Sequence, residues 1–229
     1  QTYPKNLYEI IIVDDNSSDG TKEMVDSFIK SSISSTNPRI LYLRQSPEKK
    51  GPAAANNLGI RNSNGKYVLF LNDDVIADRH LIEEHMKFHK EHENIIVQGK
   101  IINTSSIDDL GKKHNGYSGG YSNLSFGYFT TWNCSIKTAL LFKGGLFDED
   151  FKNLCWEDVE FGYRLRKLKV KQKYNKNALG YHYKKDFNLK ELDFVKIKSL
   201  KMGENAVIYL KKHPTLEVKI STQAFWLPF

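Results

Sequence analysis

The chain has 229 residues, 40% hydrophobic and 12% aromatic, enough apolar material for a sizeable core, which excludes a disordered or low-complexity protein. Its net charge of +7 favours anionic partners such as phosphates or acidic surfaces, without choosing among them. Cys134 and Cys155 lack CxxC spacing, which excludes a zinc ribbon and fits a reducing compartment, and no apolar run approaches the ~20 residues of a membrane-spanning helix.

Tyr8–Val13 (YEIIIV) is a continuous, isoleucine-rich run, the pattern of a strand covered on both faces. Asp14–Gly20 (DDNSSDG) is a turn cluster, followed by a helical pattern with Met24, Val25, Phe28 and Ile29 on one side. Arg39–Leu43 predicts a second strand, Gly51–Ile60 a helix with Pro52 in its first turn, and Tyr67–Leu71 a third strand. Leu81–His92 predicts a helix and Ile95–Ile102 another strand. Strands alternating with helices at this spacing predict βαβ units in a mostly parallel sheet with helices on both faces. Ligands bind such sheets beyond the carboxyl ends of the strands, so Asp14–Asp15 and Asp73–Asp74 belong on one edge facing one crevice.

Beyond residue 102 the pattern changes. Residues 103–125, rich in Gly, Ser, Asn and Asp, predict a mobile loop, Phe126–Trp132 a strand, Ser135–Phe142 a short helix and GGLFDEDF a turn. Trp156–Leu168 predicts a helix with Phe161, Leu165 and Leu168 on one side, and Asn188–Lys212 a basic amphipathic helix. The organisation expected is 1–102 as an α/β part, 103–185 as a second part of the same domain, and 186–229 as a basic helical extension.

Each acidic cluster has two readings. Asp14, Asp15 and Asp19 accept hydrogen bonds from a nucleoside, or only shape a turn and cap a helix. Asn72, Asp73 and Asp74 hold a Mg²⁺ or Mn²⁺ that neutralises a diphosphate, or form an acidic turn. Glu157 and Asp158 open a helix whose dipole favours a charged carboxylate, which suits a base or a cap. His182, beside aromatic residues, completes a metal site or is structural. His85, His89 and His92 share a helix face but lack the HExxH order, and read as a partly solvated face rather than a zinc site.

Three segments in order resemble the family 2 glycosyltransferases of the GT-A fold: QTYPKNLYEIIIVDDNSSDGT, then GPAAANNLGI with GKYVLFLNDDV, then NCSIKTALLFKGGLFDEDF with WEDVEFGYRL. The resemblance covers residues 1–185. It implies an α/β, GT-A (Rossmann-like) fold with a small acceptor-side subregion. The activity implied is an inverting transfer of sugar from a nucleotide-sugar, UDP by analogy, to a hydroxyl of a saccharide or glycan acceptor. It also implies roles. Asp15 would contact the uracil or ribose, with Asp14 supporting the turn and Ser17 beside them, and Asp73 would lie on the ribose side. Asp74 and His182 would hold Mn²⁺ or Mg²⁺. Asp158 would be the catalytic base, Glu157 would position acceptor or base, and Trp156 would stack on the acceptor sugar. The 103–125 loop would close over the donor.

Asn72 stands where many members carry the first DXD aspartate, and Asn56 where an arginine is common. The strand and turn with which members usually begin is missing before QTYP, so either the chain is a fragment of a longer one or another segment fills the gap, and donor binding by the sequence as given is expected to be compromised. Two other functions stay open: a sugar nucleotidyltransferase, and a degenerate transferase domain that only binds glycan. A nucleic-acid partner is not expected, because the acids converge where a polyanion would sit. The basic C-terminal helix suits peripheral membrane association, and the expected location is cytoplasmic, at the inner face of the membrane.

Overall fold

The structure is a computed structural model and describes residues 1–31, 38–110, 127–183 and 192–224. The strands are β1 (Glu9–Asp14), β2 (Arg39–Arg44), β3 (Tyr67–Leu71), β4 (Val75–Ala77), β5 (Ile95–Thr104), β6 (Asn133–Lys137) and β7 (Lys171–Tyr183). The helices are α1 (Thr21–Ser31), α2 (Pro52–Arg61), α3 (Leu81–Glu91), α4 (Thr138–Lys143), α5 (Glu157–Lys167), α6 (Leu192–Lys212) and α7 (Leu216–Ser221).

The α/β class is as expected, but the pairing is mixed rather than mostly parallel. β1 and β2 form a parallel pair of their own. The other strands form one sheet in the order β3-β6-β5-β7-β4, in which only β5 and β7 run parallel. The expected boundary at 102 falls inside β5, so the segments on either side of it share one sheet. Its core holds Ile96, Ile136, Phe129, Phe147 and Phe161, all nearly inaccessible, where strands meet α4 and α5. Gly162 lets α5 approach, since a Cβ there would lie 2.9 Å from that of Phe129.

Three local expectations fail. Residues 127–132 are not a strand, and Phe126 lies outside the described residues; the strand is β6, just beyond. Its partners β3 and β5 capture Ser135–Lys137 from the expected helix, leaving α4 only from Thr138, because cross-strand packing outweighs local propensity. β7 went unread because its lysines stay exposed while Gln172, Asn175 and Ala178 are buried, an irregular pattern made tolerable by pairing on both edges. In α1, Val25 is buried but Met24 and Phe28 are exposed, so the expected apolar side does not pack as a unit.

The basic helix is present as α6 from Leu192, and 186–191 lie outside the described residues. Its second half is fastened to α5 through Tyr209 against Tyr163, while residues 192–201 stand exposed. Among the described residues no helix is long and apolar enough to cross a membrane. Cys134 and Cys155 are both free.

Candidate active site

The carboxyl end of β1 makes a compact acidic turn. Asp14 is buried, accepts from the Ser17 N–H at 2.7 Å, and accepts from the Tyr42 hydroxyl. Burial works to raise its pKa, but Tyr42 and Ser17 outweigh that and hold it below the usual carboxylate range. The same bond pushes Tyr42 up to about 12. Asp15, exposed at the turn, accepts from the Gly51 N–H and from Gln45 Nε2, each at 3.0 Å. Gly51 has φ +93°, and a Cβ there would lie 2.3 Å from the Lys152 carbonyl oxygen. Only glycine lets α2 begin while touching both Asp15 and the 150s segment.

The carboxyl end of β3 turns back at once into β4, closed by the Val75 N–H on the Asn72 carbonyl at 3.1 Å. This places Asp73 and Asp74 at the two exposed corners. β4 lies beside β7 with Val75 opposite His182, and β5 lies on the other side with Asn103 opposite His182. His182 Nε2 meets Asp74 Oδ2 at 3.0 Å, and its Nδ1 meets Asn103 Oδ1 at 2.9 Å. The indole of Trp132 lies against the imidazole. Among the described residues no three His, Cys, Asp or Glu side chains gather as a complete metal cage. One carboxylate oxygen and one imidazole nitrogen instead fit a divalent cation that fills its coordination from water and phosphate.

The third cluster opens α5. Cys155 and Trp156 both take left-handed backbone, each at φ +76°, a costly arrangement for two consecutive non-glycine residues. Asn205 of α6 holds it from behind, donating to the carbonyls of Asn153 at 3.0 Å and Cys155 at 2.8 Å. Asp158 accepts from the Val159 N–H at 2.7 Å, and the Thr131 N–H favours its charged form. Burial nevertheless raises Asp158 to about 6. Burial, and then the charge of Asp158, raises Glu157 to about 8, and one Glu157 oxygen has no partner. The expected helix-dipole effect is therefore outweighed by desolvation. The Trp156 ring is half-buried and packs toward Tyr209, with centroids 5.9 Å apart, whereas Trp132 is the more open aromatic.

The helical histidines have another use. His85 and His89 are buried, not solvated, and only His92 is exposed. Asn133 Nδ2 donates to the carbonyls of Lys100 and Ala178, so its Oδ1 is an acceptor, and His85 Nε2–H donates to it at 2.8 Å. The Ser135 hydroxyl then donates to His85 Nδ1 and accepts from His89 Nε2–H. Burial lowers both histidines to about 4. They rivet α3 to the sheet.

The three clusters expected from the sequence are thus connected. Asp15 reaches the 150s segment through Gly51, and Asp158 reaches His182 through adjacent Thr131 and Trp132. Asn103, Trp132 and Asn205 were not expected; the cross-strand register of His182 is the signal that finds the first, and it requires β7 to be recognised.

A profile of the family described as "Glycosyl transferase family 2" matches residues 1–150. The chain is 23% identical over 244 residues to the uncharacterized glycosyltransferase YfnE of Bacillus subtilis, covering 82% of this chain and 60% of that protein. It therefore spans less than two thirds of that relative's length. The fold matches the mannosyltransferase PcManGT of Pyrobaculum calidifontis, solved with GDP-Man and Mn²⁺, at a TM-score of 0.66 and 13% identity, over 98% of this chain and 62% of that one. It also matches S. aureus TarS 1-349, solved with UDP-GlcNAc, at 0.64 and 18% identity, over 92% of this chain and 60% of that one. Both likenesses are to GT-A glycosyltransferases and bear on the fold. With a family profile matched across most of its length, the chain belongs to glycosyl transferase family 2.

Proposed function

We propose that the chain transfers a sugar, with inversion, from a UDP-type nucleotide-sugar to a hydroxyl of a saccharide or glycan acceptor. The observation that supports this is the adjacency of Thr131, whose N–H favours the charge on Asp158, to Trp132, which lies against His182 of the Asp74–His182 pair. Asp14, Asp15 and Ser17 form the turn that receives the nucleoside, and Asp73 lies on the ribose side. Asp74 and His182 would hold Mn²⁺ or Mg²⁺. Such a cation, when bound, neutralises the donor diphosphate and the charge that develops as it leaves.

Asp158 takes the proton from the acceptor hydroxyl as that oxygen attacks the anomeric carbon opposite the diphosphate. With its pKa near 6 it is ionised at neutral pH yet a better base than an exposed aspartate. Glu157, raised higher, keeps its proton and orients the acceptor as a hydrogen-bond donor. Trp132, the more exposed tryptophan, offers an aromatic face for a sugar ring, and Trp156, beside Glu157, is half-buried toward Tyr209. The deciding experiment screens nucleotide-sugars for turnover with Mn²⁺ and with chelator, and reads the product anomer by NMR. A retained anomeric configuration, or equal turnover in chelator, overturns this mechanism.

The exposed start of α6 carries Lys196, Lys198 and Lys201 among Phe194, Ile197 and Leu200. This combination supports docking on an anionic lipid surface, at the inner face of a membrane. Co-sedimentation with phosphatidylserine vesicles tests it, and equal recovery with neutral vesicles counts against it.

A further inference from the structure

We infer that Asn103 is a positioning residue that fixes the tautomer and the direction of the His182 ring, so that Nε2 presents its lone pair to a divalent cation shared with Asp74. The inference rests on the reading of Asp74 and His182 as metal ligands.

Asn103, His182 and Asp74 form a row across three strand ends. Asn103 pairs with His182 between β5 and β7, and Val75, next to Asp74, pairs with His182 between β4 and β7. The Tyr183 N–H on the Asp74 carbonyl, at 2.8 Å, fastens the same corner. This row depends on an irregularity. At Gly99/Lys100 the β7 partner jumps from Asn175 to Leu179, which carries Asn103 opposite His182. Without the jump, Asn103 would face a residue three positions earlier on β7, and an odd shift turns the opposing side chain to the other face of the sheet.

An amide oxygen only accepts. With Asn103 Oδ1 at 2.9 Å, His182 Nδ1 must carry a hydrogen and donate it. The other nitrogen faces Asp74 Oδ2 at 3.0 Å, and a cation arriving between the two takes the Nε2 lone pair in place of any hydrogen held there. Were the amide turned over, its NH₂ would select the opposite tautomer and fill that position with a hydrogen. Trp132 against the ring, with centroids 5.3 Å apart, limits rotation away from this arrangement. A partner that orients a ligand imidazole typically contributes 10–100-fold in metal affinity.

The test compares Asn103→Leu, which removes the acceptor, with Asn103→Asp, which keeps one, on the full chain. Free Mn²⁺ is followed by EPR, with Mn²⁺ alone and with Mn²⁺ plus UDP, and His182 ring nitrogens by long-range ¹H–¹⁵N NMR. Asn103→Leu is expected to weaken Mn²⁺ binding about 10–100-fold and lose the Nδ1–H signature, while Asn103→Asp stays within about threefold of the parent. Both should melt near the parent temperature. If Asn103→Leu binds Mn²⁺ like the parent while His182→Ala does not, the inference falls and the metal site stands. If His182→Ala and Asp74→Ala both bind Mn²⁺ like the parent, the metal reading falls and takes this inference with it.

Discussion

Trp132 and His182 have ring centroids 5.3 Å apart, and the residue beside Trp132, Thr131, turns its N–H toward Asp158, favouring the charged carboxylate. Two adjacent residues thus face the proposed base and the proposed metal ligand.

Replacing Asp158 by Asn removes the base while keeping the acceptor oxygen that receives the Val159 N–H. Transfer should fall by about 10²–10⁴. UDP affinity measured by calorimetry should stay within a few fold. In the parent, kcat/KM should rise with pH through about 6, as burial-raised Asp158 loses its proton. A variant that keeps most of its turnover would place the base elsewhere.

The buried histidines set an acid limit on stability. Their folded pKa values, near 4, lie below the ordinary 6.5, so between those values the unfolded chain binds more protons. Stability is full above about 6.5 and is lost as pH falls toward 4. Glu157 acts from the other side. Its folded pKa near 8 exceeds 4.5, so its contribution is greatest below 4.5 and is lost as pH rises to 8. Urea midpoints taken across pH should show His89→Leu with a shallower acid limb and Glu157→Gln with a shallower alkaline one.

Asn205→Leu should destabilise the protein by about 1–3 kcal/mol, since it leaves two buried carbonyls without their donor. It should also lower kcat more than it raises KM for the donor, because the released Cys155–Trp156 backbone carries Glu157 and Asp158. Thermal melts and steady-state kinetics check the two halves separately. A stable, fully active variant would mean the left-handed pair holds itself.

Gly51→Ala meets both a positive φ and the Lys152 carbonyl. A loss of about 1–3 kcal/mol is expected, read from the urea midpoint. UDP binding should weaken as well, because the Gly51 N–H is one of the two groups that hold Asp15.

The first half of the fold was legible because β1, β2 and β3 are short apolar runs, two of them leading into acids, and its helices carry ordinary signals such as Pro52 at the start of α2. β7 was not. Its alternating lysines and asparagines look like surface, and they become a strand only where β5 supplies a backbone partner, with β4 joining at Gly180–His182. With β7 unseen, His182 could be named but its neighbours could not, so Asn103 was assigned to the loop. The histidine face of α3 misled for a related reason. Polar residues at helical spacing read as solvated unless Ser135 and Asn133, far along the chain, are known to meet them.

β1–β2 and the five-stranded sheet share no ladder among the described residues. The turn at Asp14–Asp15, proposed to receive the nucleoside, belongs to the first, and Asp74 and His182 belong to the second. A nucleotide-sugar would thus touch two bodies joined by α2 and by side-chain contacts such as Glu9 with the Asn64 N–H. Its binding energy would go partly into setting their mutual angle. The donor would then act as a splint as well as a substrate, and nucleotide together with metal should stiffen the molecule more than the sum of either alone.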